Sequence, residues 1–169
     1  NEVQALVVLD NAHRVPANDL RMLVDATQHL RFVLLAQPTP SIAELEAMIM
    51  ELYADDAATT VGAMSHEQIL RTVEMMRTHP AVGDIVIFEM ERQVVGYAIV
   101  TWFWSNEFGG RMLIIDELLV KAAWRGQGLV SYFFQLLFKE RRYGEVAYEL
   151  EVGATKAQTI QFYERQGFQ

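Results

Sequence analysis

The run RGQGLV, from Arg125 to Val130, is the stretch of this sequence whose residue types best suit chemistry. Gly126 and Gly128 stand between a β-rich segment and a helical pattern that opens at Leu129. Glycine tolerates the left-handed backbone of a tight turn and leaves neighbouring N–H groups unscreened. The first amides of a helix lack an intrahelical acceptor and sit at the positive end of its dipole. Together these features suit a phosphate, to which Arg125 adds charge. The run lacks the Lys-Ser/Thr pair of a nucleotide-hydrolysing phosphate loop. It also lacks a parallel βαβ unit with an acidic residue about twenty positions on, as a dinucleotide site requires. An ordinary glycine turn fits the same residues, so the surrounding elements have to decide.

Other groups that could do chemistry lie on both sides of that turn. Asp116 and Glu117 are adjacent on a strand pattern, and period-two alternation sends them to opposite faces, so at most one faces a common ligand. Trp102, Trp104, Asn106, Glu107 and Phe108 gather around a hairpin just upstream, where an aromatic and acidic rim would suit an amine cation. Alternating aromatics also pack sheet faces, and both readings stand at this stage. Glu149 and Glu151 share one face of a later strand and read as solvated. His13, His29, His66 and His79 have no metal-ligand spacing and read as surface or capping residues; no metal is expected.

The elements that must position these groups fall into two rhythms. Ala5 to Leu9 is a short apolar strand pattern, and Leu20, Leu23, Val24 and Thr27 repeat at helical spacing. Arg31 to Ala36 reads as a strand. Ser41 and Glu44 open a helix whose apolar face is Ile42, Leu45, Met48, Ile49 and Leu52, and Ser65 with Gln68 opens another that ends at His79-Pro80. From Asp84 the rhythm changes to three long β-rich segments, Asp84 to Met90, Gln93 to Trp104 and Arg111 to Val120, joined by short turns. A helix from Leu129, a strand from Glu145 to Val152 and a helix ending at Gly167 complete the pattern. The expected fold is α/β in the α+β sense: a mixed, largely antiparallel sheet flanked by helices, with an N-terminal βα extension.

Composition narrows the function. A net charge of −8, with the basic residues scattered, argues against nucleic acid and favours a cationic small molecule. The chain has no Cys, which excludes disulfides, thiolate metal sites and a Cys nucleophile. No apolar run approaches the length a bilayer needs, so no membrane partner is expected and a cytoplasmic location fits. Beginning at Asn1 and stopping just after Gly167-Phe168, the chain reads as cut from something longer.

From about Met48 to Phe168 the chain resembles the GNAT acetyltransferases. The resemblance rests on DELLV (Asp116 to Val120), a four-residue lead-in, RGQGL, a long helix, YELEV (Tyr148 to Val152) and FYERQGF (Phe162 to Phe168), in that order and spacing. It implies acetyl-coenzyme A as cosubstrate, with main-chain contacts from Leu118, Leu119 and Val120 and phosphate contacts from Arg125, Gly126, Gln127, Gly128, Leu129 and Val130. Val130 stands where the family usually has Gly or Ala, Ala122 where it often has Pro, and Lys156 where many members have Asn; a cation at Lys156 can still meet a phosphate.

The implied reaction is acetyl transfer to a primary amine of a small molecule or peptide, by direct attack in a ternary complex. Tyr163 matches the family tyrosine that protonates the departing sulfur. Asp116 or Glu117 would accept the ammonium proton, and a backbone amide near Leu118 would meet the thioester oxygen. Trp102, Trp104, Asn106 and Glu107 are the candidate acceptor contacts. The resemblance leaves a homodimer open, and a non-catalytic acyl-coenzyme A binding or sensing module is the alternative.

Residues 1–40, with ALVVLDNAH and RFVLLAQP, weakly resemble the magnesium-binding strand of AAA-type ATPases, although no phosphate loop precedes them. An ATPase fragment is therefore a further alternative. The expected division is an extension at 1–30, its junction falling anywhere up to residue 46, and an acetyltransferase domain at 31–169.

Overall fold

The computed structural model describes residues 4–10, 30–34, 42–55, 64–91 and 93–169. Its strands are β1 (Gln4–Asp10), β2 (Leu30–Leu34), β3 (Gly83–Met90), β4 (Gln93–Ser105), β5 (Gly110–Val120) and β6 (Glu145–Gly153). Its helices are α1 (Ile42–Asp55), α2 (His66–Thr78), α3 (Leu129–Glu140) and α4 (Ala157–Gln166), with a 3-10 turn at Ala122–Trp124. The strand order is β1-β6-β5-β4-β3-β2. β1 is antiparallel to β6 and β2 to β3, whereas β5 and β6 are parallel, so the sheet is mixed as the sequence predicts. The described residues form two compact units, and the long strands β4 and β5 contribute to both.

One unit holds residues 30–34, 42–55, 64–91, 93–100 and 117–125. Its core joins Leu45, Met48 and Ile49 of α1 to Ile69 and Val73 of α2, and seats both helices on Ile85, Ile87, Tyr97, Ile99 and Leu119. The helical residues recur at three and four positions and the strand residues at two, which gives each element one apolar face. Burying each such side chain contributes roughly 1.5–3 kcal/mol. Ser65 caps α2 as its sequence predicts: its Oγ accepts from the Gln68 amide at 3.3 Å, and its own amide donates to Gln68 Oε1 at 2.9 Å. Such a cap contributes about 1 kcal/mol.

The other unit holds residues 4–10, 101–116 and 126–169. Leu129, Phe133, Phe134, Leu137 and Phe138 form the buried stripe of α3. Phe134 meets Phe168 at 5.3 Å and Tyr163 at 6.0 Å, and Phe138 meets Tyr148 of β6 at 4.6 Å, so one aromatic cluster joins α3, α4 and β6. α4 stops at Gly167, whose φ of 104° suits only glycine well, and the Phe168 amide turns back to the Tyr163 carbonyl at 3.1 Å. That turn carries Phe168 into the cluster. Beneath α3, buried Glu145 accepts from the Tyr148 hydroxyl at 3.0 Å and from the Tyr143 amide at 2.9 Å. Burial first, and Glu145 second, push the Tyr148 hydroxyl well above its ordinary range.

The four-residue lead-in between β5 and the glycine turn contains a 3-10 turn. β2 starts at Leu30, one residue before the expected strand, and Leu35 and Ala36 lie outside the described residues. The ATPase resemblance of residues 1–40 is not borne out: β1 lies in this sheet as the antiparallel neighbour of β6 over its whole length. The helix expected around Leu20 to Thr27 and the cap at Ser41 fall outside the described residues, as do His13 and His29.

Candidate active site

The end of β5 is anchored by the Lys121 amide, which donates to the Val95 carbonyl at 2.9 Å. The 3-10 turn then closes through Trp124 N–H to Lys121 C=O at 2.8 Å. Gly126 and Gly128 follow with φ of 75° and 79°. A Cβ on Gly126 would meet nothing within 4 Å, so the sign of φ rather than space selects glycine there. The Gly128 carbonyl accepts from Tyr132 N–H at 2.9 Å, which is the first turn of α3. The amides of Leu129, Val130 and Ser131 precede that bond and are the helix's orphan donors. Val130 is half-buried and Gln127 exposed.

Arg125 is differently placed from the expectation. Its Nε donates to the Val120 carbonyl at 2.8 Å, and Nη2 stands 4.0 Å from Glu51 Oε1 of α1. Part of the side chain is thus committed to the strand it follows, and its charge is shared with a carboxylate.

On β5 the two acids separate as alternation predicts. Asp116 is exposed, yet the surrounding protein removes enough water to raise its carboxyl above the ordinary 3.8. Glu117 is buried, and both its oxygens are engaged: Oε2 accepts from Tyr97 at 2.8 Å and Oε1 from Tyr53 at 2.9 Å. Leu118 is half-buried, and Leu119 and Val120 are both buried. Gly96 of β4 permits a close approach to β5: a Cβ there would lie 2.4 Å from the Leu119 carbonyl oxygen. The pairing of β5 with β6 runs from Arg111 to Ile115, so Asp116 to Val120 follow its last paired residue.

Tyr163 is half-buried on α4, edge-on to Phe134 and to Phe168 at 5.9 Å, and burial pushes its hydroxyl up to about 12. It therefore stays protonated across physiological pH. Lys156 begins α4, with its amide on the Gly153 carbonyl at 2.9 Å and its side chain lying along Gly153.

The hairpin residues do not form a single rim. Trp102 stacks on Tyr143 at 4.8 Å, and the Arg111 guanidinium lies over its ring at 5.3 Å, so packing accounts for this aromatic. Trp104, at 69% exposure, is the open one, and Asn106 and Glu107 are exposed in the turn beyond it. Glu149 is half-buried and Glu151 exposed. His66 pairs with Glu46, His79 caps α2, and no metal-holding cluster is found among the described residues. Sequence reasoning missed Tyr53, Tyr97 and Glu51. Tyr53 meets Glu117 across 64 positions, and no local pattern signals such a pairing.

A mixed sheet flanked by helices, with a strand that leads through two left-handed glycines to the start of α3, defines an α+β domain. Residues 81–169 match the family described as an acetyltransferase (GNAT) domain, and the chain belongs to it. Among solved structures, an aminoglycoside N-acetyltransferase in complex with CoA is similar at TM-score 0.66 and 10% identity, covering 83% of this chain and 88% of that one. A possible acetyltransferase from Clostridium difficile 630 is similar at TM-score 0.63 and 16% identity, covering 80% and 88%. An aminoglycoside acetyltransferase from an uncultured soil metagenomic sample, in complex with trehalose, is similar at TM-score 0.57 and 12% identity, covering 85% and 89%. At these identities the likeness shows the fold. No curated protein matches the chain.

Proposed function

We propose that the chain is an N-acetyltransferase that moves acetyl from acetyl-coenzyme A to a primary amine of a small molecule or peptide within a ternary complex. The observation that carries this reading is the turn after β5, where Gly126 and Gly128 open the backbone ahead of three orphan amides. Backbone donors at the start of a helix suit a pyrophosphate. Acetyl-coenzyme A supplies an acetyl thioester when bound.

The chain's own residues supply the remaining chemistry. Asp116 is the better base of the two acids, because it is exposed and its raised carboxyl takes a proton more readily than an ordinary aspartate. It removes the ammonium proton, and the freed amine forms the N–C bond as the C–S bond breaks. Tyr163 holds a proton that it can deliver to the departing sulfur, and the second proton that the nitrogen sheds on becoming an amide restores the phenol. The Leu118 region of β5 offers backbone donors to the thioester oxygen. Trp104 and Glu107 stand exposed at the hairpin, where an aromatic and a carboxylate suit a cationic acceptor.

The test is to incubate the protein with acetyl-coenzyme A and a panel of diamines, amino sugars and peptides while following free thiol. Acceptor-dependent thiol release supports the reading. Cofactor binding with no release on any amine favours a binding or sensing module instead.

A further inference from the structure

We propose that Glu117 is a positioning residue, a buried pin that sets the face and register of β5 so that Asp116 stays on the outer side. This rests on the reading of Asp116 as the base. Three elements of one compact unit meet at the Glu117 carboxylate: β5 carries it, the last turn of α1 presents Tyr53, and β4 presents Tyr97. Each oxygen accepts from a different tyrosine, at 2.9 Å and 2.8 Å.

A buried carboxylate is costly unless its oxygens find donors, and an ionised one can only accept. Two phenol hydroxyls meet that need, so the side chain has one favourable place. Successive strand residues face opposite ways, and a one-residue slip exchanges the faces. Such a slip would bury Asp116 among the α1 and α2 contacts and leave Tyr53 and Tyr97 without their acceptor. Aspartate at this position would be shorter by one methylene and would not span both hydroxyls. The pin acts in the strand segment that needs it, because β5 has by then passed Ile115, its last residue paired with β6. Tyr53 also ties the end of α1 to the same point, so this helix cannot shift without loosening the strand beside the base.

The pH profile of acetylation separates a pin from a base. Glu117→Gln is expected to lower kcat by roughly tenfold or more, as a small misplacement of a reacting group does. It should leave the acid limb of kcat/KM where it is, whereas Asp116→Asn should erase that limb. Tyr53→Phe should lower kcat several-fold, and adding it to Glu117→Gln should cost little more, because the two share one interaction. Loss of the acid limb in Glu117→Gln with its retention in Asp116→Asn would overturn the proposal, as would an unchanged kcat in Glu117→Gln. Hydrogen exchange gives a second readout that does not need turnover. Faster exchange at the amides of residues 116–119 in Glu117→Gln and Tyr53→Phe supports the pin, and unchanged exchange overturns it. Absence of thiol release by the unaltered protein counts against acetyl transfer alone and leaves the exchange result to decide the pin.

Discussion

Arg125 Nε donates to the carbonyl of Val120 at 2.8 Å, so the arginine of the glycine turn reaches back to the end of the strand that leads into it. The same guanidinium stands 4.0 Å from Glu51, and both side chains are about half exposed. An exposed pair of this kind contributes at most about 1 kcal/mol. Glu51→Gln should therefore release positive charge toward a bound phosphate and tighten acetyl-coenzyme A by no more than about fivefold. Calorimetric titration at low and high salt checks this: the gain should shrink as salt rises.

Gly128→Asp should abolish acetyl-coenzyme A binding. It places a carboxylate where anions are to be held, and it forces a side chain onto a backbone with φ of 79°. Thermal unfolding of the variant separates the two effects, since backbone strain alone lowers stability by roughly 1–2 kcal/mol and leaves the helix amides in place.

Asp116→Asn should lower turnover roughly 100-fold or more, leaving a measurable residual rate, while changing stability in a pH-dependent way. The folded-state carboxyl is raised, so the folded chain holds its proton more tightly than the unfolded chain does. The stability this contributes is fully present below the ordinary value of 3.8 and is lost as pH rises through the raised one. The Asn variant has no such loss, so its stability relative to the parent should improve between acid and neutral pH. Urea unfolding at several pH values reads the difference.

Tyr163→Phe should reduce kcat far more than it changes cofactor affinity. Because the hydroxyl is pushed from 10.0 to about 12, its contribution to stability is complete below pH 10 and is lost as pH rises through about 12. Alkaline unfolding of the Phe variant should lack that component.

Gly96→Ala should destabilise the protein by roughly 1–3 kcal/mol. The new Cβ would sit 2.4 Å from a backbone oxygen of β5, which cannot move aside as a flexible side chain can. Denaturant titration gives the value, and a loss of turnover larger than the loss of stability would show that the Leu119 region is disturbed.

Most of the element pattern could be read along the chain because its signals are local. The capping box at Ser65 and Gln68, the apolar stripe of α3 and the glycine stop at Gly167 each involve residues a few positions apart. The glycine turn was readable for the same reason. Its lead-in was not, since a three-residue 3-10 turn leaves almost no periodicity. The two readings of Trp102 could not be separated along the chain because its partners, Tyr143 and Arg111, are neighbours only after β4, β5 and β6 assemble.

By itself the sequence determined the family-defining order of strand, glycine turn, helix and terminal FYERQGF run, and it placed Asp116 and Glu117 on opposite faces. Those properties follow from alternation and helical repeat, which act over one or two turns of chain. Only the tertiary structure decided which acid is buried, because Glu117 meets Tyr53 and Tyr97 at separations of 64 and 20 positions. It also decided where the Arg125 charge is directed. Alternation assigns a residue to a face, but the donors waiting on that face are brought there by packing.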